Sequence, residues 1–340
     1  PRIGGQRQSL AIGPPVSVQF ESSFGLAPIG KREYELSVTI RNLSMLRQKG
    51  QLQLRLPAGF SLIGDALSFD LAKEKEEARI QLRLRLPERL ASQDYPITAV
   101  ARIGDREYSA SFQPVTQPGF RVLYWSQPST HALRAVDVKI APGLKVAYIM
   151  GSGDEMPEGL RQLGIPVDLL NESTLAREDL KRHNARMLEY VSKGGTLIVQ
   201  YQTQEYDKNF GPFPYTQGRG AEETSEEDAP VTILAGNDVV FESPNRITKA
   251  DFEGWVEQRG SKFFATWAPE WQPMIETHDQ GQPPQRGVWM QARYGKGLYV
   301  YCSLAWYRQL PFAVPGAARI IANLVRLGAA DSTWRKPNPK

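Results

Sequence analysis

The chain has 340 residues, of which 41% are hydrophobic and 23% charged, and a formal net charge of +4; that length suggests two domains of ordinary globular composition. No apolar run reaches the roughly 18 residues of a membrane span. Lys and Arg are interspersed with acidic residues rather than gathered on one stretch, which argues against a nucleic-acid groove.

The first residues, PRIGGQ, lack Met and a signal peptide, so the chain is expected to be a processed piece of a longer protein, opening with an extended segment over 1–15. From residue 16 to 118 the period is two. YELSVTIRNLS sets Leu36, Val38 and Ile40 against Glu35, Ser37, Thr39 and Arg41; QLQLRLPAGF sets Leu52, Leu54 and Leu56 against Gln53 and Arg55. ARIQLRLRLP repeats the pattern with Ile80, Leu82, Leu84 and Leu86, and YPITAVARIGDREYSASF reads as a hairpin with Gly104–Asp105 at its tip. Such strands bury one face and wet the other, and their number predicts an antiparallel, Ig-like β-sandwich. Its charged outer faces read as solvated strand faces.

FRVLYW and VDVKIAP read as connector strands within 119–143. From residue 144 to 329 strands and helices alternate. KVAYIM is a continuous apolar strand, EMPEGLRQLG a short helix closed by Gly164, VDLL a second strand, and ARMLEYVSKGG a helix with Met187, Leu188 and Val191 inward. TLIVQY is a further buried strand, GVWMQARYGKGLYVYCSL a hairpin around Gly295–Lys296–Gly297, and PGAARIIANLVRLG the closing helix. This order predicts a flavodoxin-like, three-layer α/β domain, with 330–340 as a flexible tail. Only NESTLAREDLKRHN lies between VDLL and ARMLEYV, where such a sheet needs one more strand. A segment is therefore expected to be missing near Leu180–Lys181.

The turn YIMGSGDEMPEGL stands where α/β proteins hold phosphates. Gly151 and Gly153 match two glycines of G-x-G-x-x-G, but Met156 replaces the third, and no Gly-Lys-Ser/Thr follows. Asp154, Glu155 and Glu158 would repel a phosphate and suit the positive end of a helix. Ser152 and Glu155 fit a capping box. A carboxylate there also accepts hydrogen bonds from sugar hydroxyls.

The layer order matches class I glutamine amidotransferases, which carry a Cys on a G-x-C-x-G elbow after a central strand. Here TLIVQY runs into QTQEY without an elbow, and CSLAWYRQLP carries no H-x-E. Cys302 is the single cysteine, which excludes an intrachain disulfide and a cysteine zinc site, and it reads as an apolar filler of its strand. His131, His183 and His278 are widely separated, without metal-site spacing.

GLKVAYIMGSGDEMPEGLRQLGIPVDLL, GGTLIVQYQT, APVTIL, SPNRITKADFEGWVEQRG and PPQRGVWMQARYGKGLYVYCSLAWYRQLPFAVPGA occur in that order. Together they resemble the C-terminal region of large bacterial PIG-L/LmbE-type deacetylases, over about Val16 to Gly328. The resemblance implies a NEW3-like sandwich followed by a degenerate amidotransferase-like α/β domain in an extracytoplasmic protein. It also implies an upstream zinc deacetylase module acting on N-acetylglucosamine-type sugars. No His-Pro-Asp-Asp motif occurs in this chain, so no cofactor is expected here, and zinc only in such an upstream module.

The resulting expectation is a non-catalytic accessory region that binds a glycan or a protein partner. Aromatics near strand ends, with neighbouring amides and charges, supply the ring faces and hydrogen bonds that sugars need. The candidate ligand-binding residues are Asp154, Glu155, Tyr201, Gln202, Arg246, Glu253, Trp255, Trp306 and Arg308. Trp267, Trp271, Trp289, Tyr206 and Tyr215 lie in the same half, with core packing as the simpler reading of each, and Arg246 and Glu253 are alternatively a structural ion pair. Two alternatives remain: an enzyme with a site at the strand ends, built on Asp154, Glu155, Gln202, Glu253 and Arg308, or an assembly subunit docking through GAEETSEEDAP and WRKPNPK.

Overall fold

Alternating side chains build the first unit, residues 1–135. A computed structural model of the chain describes residues 13–65, 67–115, 117, 123–151, 155–170, 177–202, 206, 210–218 and 222–329. The strands of this unit are β1 (Val16–Phe20), β2 (Phe24–Pro28), β3 (Glu33–Asn42), β4 (Gln48–Arg55), β5 (Ser61–Ile63), β6 (Leu67–Leu71), β7 (Glu77–Arg85), β8 (Asp94–Ile103), β9 (Arg106–Tyr108), β10 (Ala110–Val115), β11 (Leu123–Pro128) and β12 (Thr130–Val136). One sheet runs β1-β3-β7-β5, a second runs β2-β12-β8-β4-β6 with β9 beside β8, and β10 and β11 form a ribbon.

The two larger sheets share one core. Val18, Val38, Ile40, Leu82 and Leu84 come from the first, and Leu52, Phe69, Ile97, Ala99 and Leu133 from the second. That is the antiparallel sandwich the alternation predicts. The charged residues between them face water in ion pairs such as Arg79–Glu21 at 2.5 Å and Arg55–Glu107 at 2.7 Å. The predicted hairpin is the β8–β9 pair, with Ile103 opposite Arg106.

The segment expected to connect the domains differs. FRVLYW contributes to β11, but THALRAV is β12, an inner strand hydrogen-bonded between β2 and β8. VDVKIAP has no strand beyond Val136.

The second unit, residues 136–340, contains β13 (Val146–Tyr148), β14 (Val167–Leu169), β15 (Thr196–Val199), β16 (Tyr215–Gln217), β17 (Glu223–Thr224), β18 (Val231–Ile233), β19 (Gly260–Ser261), β20 (Phe264–Trp267), β21 (Gln272–Pro273), β22 (Ile275–Thr277), β23 (Trp289–Tyr294) and β24 (Gly297–Cys302). Its helices are α1 (Met156–Gln162), α2 (Arg177–Ser192), α3 (Val239–Glu242), α4 (Trp306–Gln309) and α5 (Pro315–Arg326). The described residues do not form one doubly wound sheet. β13 and β14 are a parallel pair, β15-β24-β23-β21 is a mixed sheet with β15 and β24 parallel, and β16–β20, β17–β19 and β18–β22 are antiparallel ribbons. The ribbons occupy the long crossover from β15 to β24, where a helix-based crossover would be shorter.

Helix ends follow the sequence signals. Gly164 has φ +83° and, with Ile165, hydrogen-bonds back to Arg161 and Leu160, closing α1. Glu155 is the N-cap of α1 without a side-chain cap bond, so the expected capping box is not in register; Ser152 lies outside the described residues. Pro315 opens α5. A helix, α2, runs through Leu180–Lys181, where a missing strand was expected.

A core of this unit gathers Val191, Val199, Tyr206, Tyr215, Phe264, Trp271, Tyr299 and Tyr301. Its phenols are not left dry. Tyr206 and Tyr299 hydroxyls bond each other, and Tyr215 Oη donates to the Tyr206 carbonyl at 2.6 Å. Gln217 Nε2 donates to Tyr301 Oη at 2.9 Å.

Candidate functional site

Parallel strands deliver their carboxyl ends to one edge. Val199 of β15 pairs with Tyr301 of β24, so the residues that follow each strand are neighbours. After β15 come Gln200, Tyr201 and Gln202; after β24 come Ser303, Leu304 and Ala305, then α4. Open α/β sheets bind ligands at such ends. Gln200 Nε2 donates to Oη of Tyr148, the last residue of β13, at 2.8 Å. The ring of Tyr201 lies 5.7 Å from that of Tyr307, inclined at 57°. The Arg308 guanidinium stands 5.0 Å from the centre of the Tyr307 ring.

The next layer comes from residues 256–259. Glu257 pairs with Arg308, Oε2 to Nε at 2.8 Å, with Arg308 Nη1 donating to Oε1 at 3.3 Å. Gln258 Nε2 donates to Tyr307 Oη at 2.8 Å. Glu257 has φ +64°, and the Gln258 N–H donates to the Val256 carbonyl at 2.8 Å. This is a γ-turn with its centre in the left-handed region, a strained form for a residue with a side chain.

Fully buried Gln309 clamps the turn. Its Oε1 accepts from Val256 N–H at 2.9 Å, and its Nε2 donates to the Val256 carbonyl at 3.0 Å and the Gln258 carbonyl at 3.3 Å. From the other side, Glu227 Oε1 accepts from the Glu257 N–H at 2.6 Å. The arrangement offers half-buried phenol faces, a fixed ion pair and oriented amides. Such groups can hold a ligand by ring stacking and hydrogen bonds.

Cys302, the last residue of β24, is enclosed, and burial pushes its thiol up to about 12 against the pull of the Leu304 backbone N–H and the Trp306 indole. At neutral pH it holds its proton and is a poor nucleophile.

The predicted residues separate into groups. Tyr201 and Arg308 meet around Tyr307. Gln202 is half-buried beside Tyr201 in sequence, and Glu155 is exposed at the start of α1. Asp154 lies outside the described residues. Trp255 and Trp306 are core: their rings are 5.5 Å apart, both are buried, and Trp255 Nε1 donates to the Asp251 carbonyl at 3.0 Å. Trp271, Trp289, Tyr206 and Tyr215 are buried as well, and Trp267 is half-buried.

Arg246 and Glu253 are both exposed. The ion pair in this stretch is instead Arg319–Asp251 at 2.7 Å. Arg319 also donates to the carbonyls of Asp137 at 2.9 Å and Arg246 at 2.7 Å. Gly316 lets α5 approach the turn that carries Asp251, because a Cβ there would run into the Asp251 carbonyl.

Arg259 is a buried cation. Its guanidinium sits 5.5 Å from the Trp255 ring and donates to the carbonyls of Ala229 and Phe252. Desolvation lowers its pKa to about 10, with Asp228 opposing.

The acidic stretch is anchored rather than loose where it is described. Asp279 accepts from the Ser225 N–H at 2.8 Å and the Glu226 N–H at 2.9 Å. Sequence reasoning missed Tyr307, Glu257, Gln258 and Gln309. The signal for Tyr307 is its place in α4, the short helix that follows the buried strand β24; the γ-turn at Glu257 leaves no composition signal.

Among the described residues no helix is long and apolar enough to cross a membrane, and no group of three or more His, Cys, Asp or Glu is placed to hold a metal ion. No family model and no curated protein matches the chain. Solved structures similar to parts of it include the FixG-related protein from Vibrio parahaemolyticus, at 10% identity and TM-score 0.23, covering 36% of this chain and 98% of that one. Native alpha-2-macroglobulin from E. coli is similar at 17% identity and TM-score 0.24, over 36% of this chain and 7% of that one. The CARDB domain of a Pyrococcus furiosus protein, in complex with di-metal ions, is similar at 14% identity and TM-score 0.24, over 36% and 87% of the two chains. Likenesses at these scores assign neither a family nor a ligand.

Proposed function

We propose that this chain is a non-catalytic, glycan-binding accessory region of a PIG-L/LmbE-type deacetylase-like protein working outside the cytoplasm. The ligand sits at the carboxyl ends of β15 and β24. The parallel pairs β13–β14 and β15–β24 are then the remnants of a flavodoxin-like, amidotransferase-like layer whose crossover has filled with ribbons. The observation that carries the reading is the corner made by Tyr201 and Tyr307, bordered by the Arg308–Glu257 pair.

A pyranose ring offers C–H faces to aromatic rings and hydroxyls to charges and amides, and this edge supplies both. The closed, protonated Cys302 speaks for binding over acyl transfer. On this reading, zinc belongs to an upstream module.

Titration calorimetry with a β-1,4-linked N-acetylglucosamine tetramer tests the proposal. Binding is expected, weakened about tenfold or more by Tyr307→Ala through loss of the stacking face. Absence of heat up to about 1 mM tetramer rejects it.

A further inference from the structure

The Glu257–Arg308 pair also bears on the charge of the ligand. Arg308 is the cation beside Tyr307, and its charge is matched by Glu257. Glu227 adds a further carboxylate to the same turn, through its bond to the Glu257 N–H at 2.6 Å. An acidic sugar would meet an arginine already occupied and two carboxylates that repel it.

An uncharged sugar meets better-matched groups. Tyr307 Oη accepts from Gln258, so its own hydrogen is left to donate. Arg308 engages Glu257 through Nε and Nη1, and a guanidinium carries further N–H donors on Nη2. A carboxylate has about four acceptor directions, more than Arg308 takes from Glu257. Sugar hydroxyls and N-acetyl amides, each donor and acceptor at once, complement such a pair. The γ-turn and Gln309 hold the carboxylate ready, so little ordering is needed on binding.

We infer that the edge formed by Tyr201, Tyr307, Arg308 and Glu257 selects uncharged sugars and rejects acidic saccharides. This rests on the glycan reading above.

The experiment compares tetra-N-acetylchitotetraose with tetragalacturonate on the full chain, by calorimetry in about 20 mM and about 300 mM salt. The neutral tetramer is expected to bind the wild-type chain at least about tenfold more tightly than the acidic one, with little response to salt. Glu257→Gln leaves Arg308 unmatched and is expected to raise tetragalacturonate affinity about tenfold, most clearly at low salt. If that variant does not fold, Glu257→Gly removes the same charge with a residue suited to the left-handed turn.

Equal or tighter binding of tetragalacturonate by the wild-type chain overturns the inference and leaves the glycan reading standing. An unchanged preference in a folded Glu257 variant also overturns it. If the wild-type chain binds neither sugar, the glycan reading falls and the inference with it.

Discussion

His131 shows how one buried side chain sets a response to pH. Its Nδ1 lies 2.7 Å from the Ser22 carbonyl, an acceptor only, so Nδ1 carries the hydrogen. Nε2, 3.1 Å from Tyr34 Oη, is then the acceptor and the phenol donates. Phe20 and Tyr34 rings pack at 5.5 and 5.7 Å, and desolvation lowers the pKa against the pull of the Ser22 carbonyl.

The native state therefore resists a proton that the unfolded chain accepts near pH 6.5. Stability is full above that value and is lost as pH falls through it toward the lower native pKa. The urea midpoint of the sandwich is expected to drop between about pH 7.5 and pH 5.5, and His131→Gln to flatten that slope. Equal slopes in the two proteins would show that His131 does not carry the response. Tyr34→Phe, which leaves Nε2 buried without a donor, is expected to cost about 1–3 kcal/mol in the same measurement.

At the scale of elements, the decisive feature is the join between α4 and the γ-turn. Gln309, at the end of α4, meets the backbone of both flanks of Glu257. Gln309→Ala removes all three bonds and exposes nothing to replace them, so a loss of about 1–3 kcal/mol is expected in chemical denaturation. Tetramer binding should weaken too, since Glu257 and Arg308 lose their fixed geometry. A variant as stable as wild type that binds equally well would show that the turn holds itself.

Much of this was open to sequence reasoning, and some was not, for physical reasons. The strands of the sandwich declare themselves because Leu36, Val38 and Ile40 alternate with charges. β12 hides because a histidine occupies one of its inward positions. Tyr201 and Arg308 are found by the rule that ligands sit at strand ends. Trp255 and Trp306 satisfy the same rule yet are core, because composition does not distinguish a ring packed inward from one offered outward. Arg246 and Glu253 were candidates for one pair, but the 3₁₀ turn Lys249–Phe252 buries Asp251 and leaves them outside. Thr248 N–H donates to Asp251 Oδ2 at 2.8 Å, fixing the carboxylate for Arg319.

For the whole molecule, the question is where a separable piece ends. The sandwich core draws its buried residues from Val16 to Ala135, and the tyrosine-rich core from Val191 to Tyr301. A sandwich ending at residue 118 follows from the alternating stretches alone, but it would omit β12. That strand lies between β2 and β8 and supplies His131, Leu133 and Ala135. Without it, β2 loses its ladder partner, Tyr34 loses its acceptor, and the edge of β8 that pairs with β12 opens to water. An inner strand cannot be given up as an edge strand can, because both of its ladders break at once. A fragment of residues 13–140 is therefore expected to fold cooperatively, with dispersed amide resonances and a single urea transition. A fragment of residues 13–118 is expected to show neither. A dispersed spectrum from the shorter piece would mean that β12 only covers a sheet already complete without it.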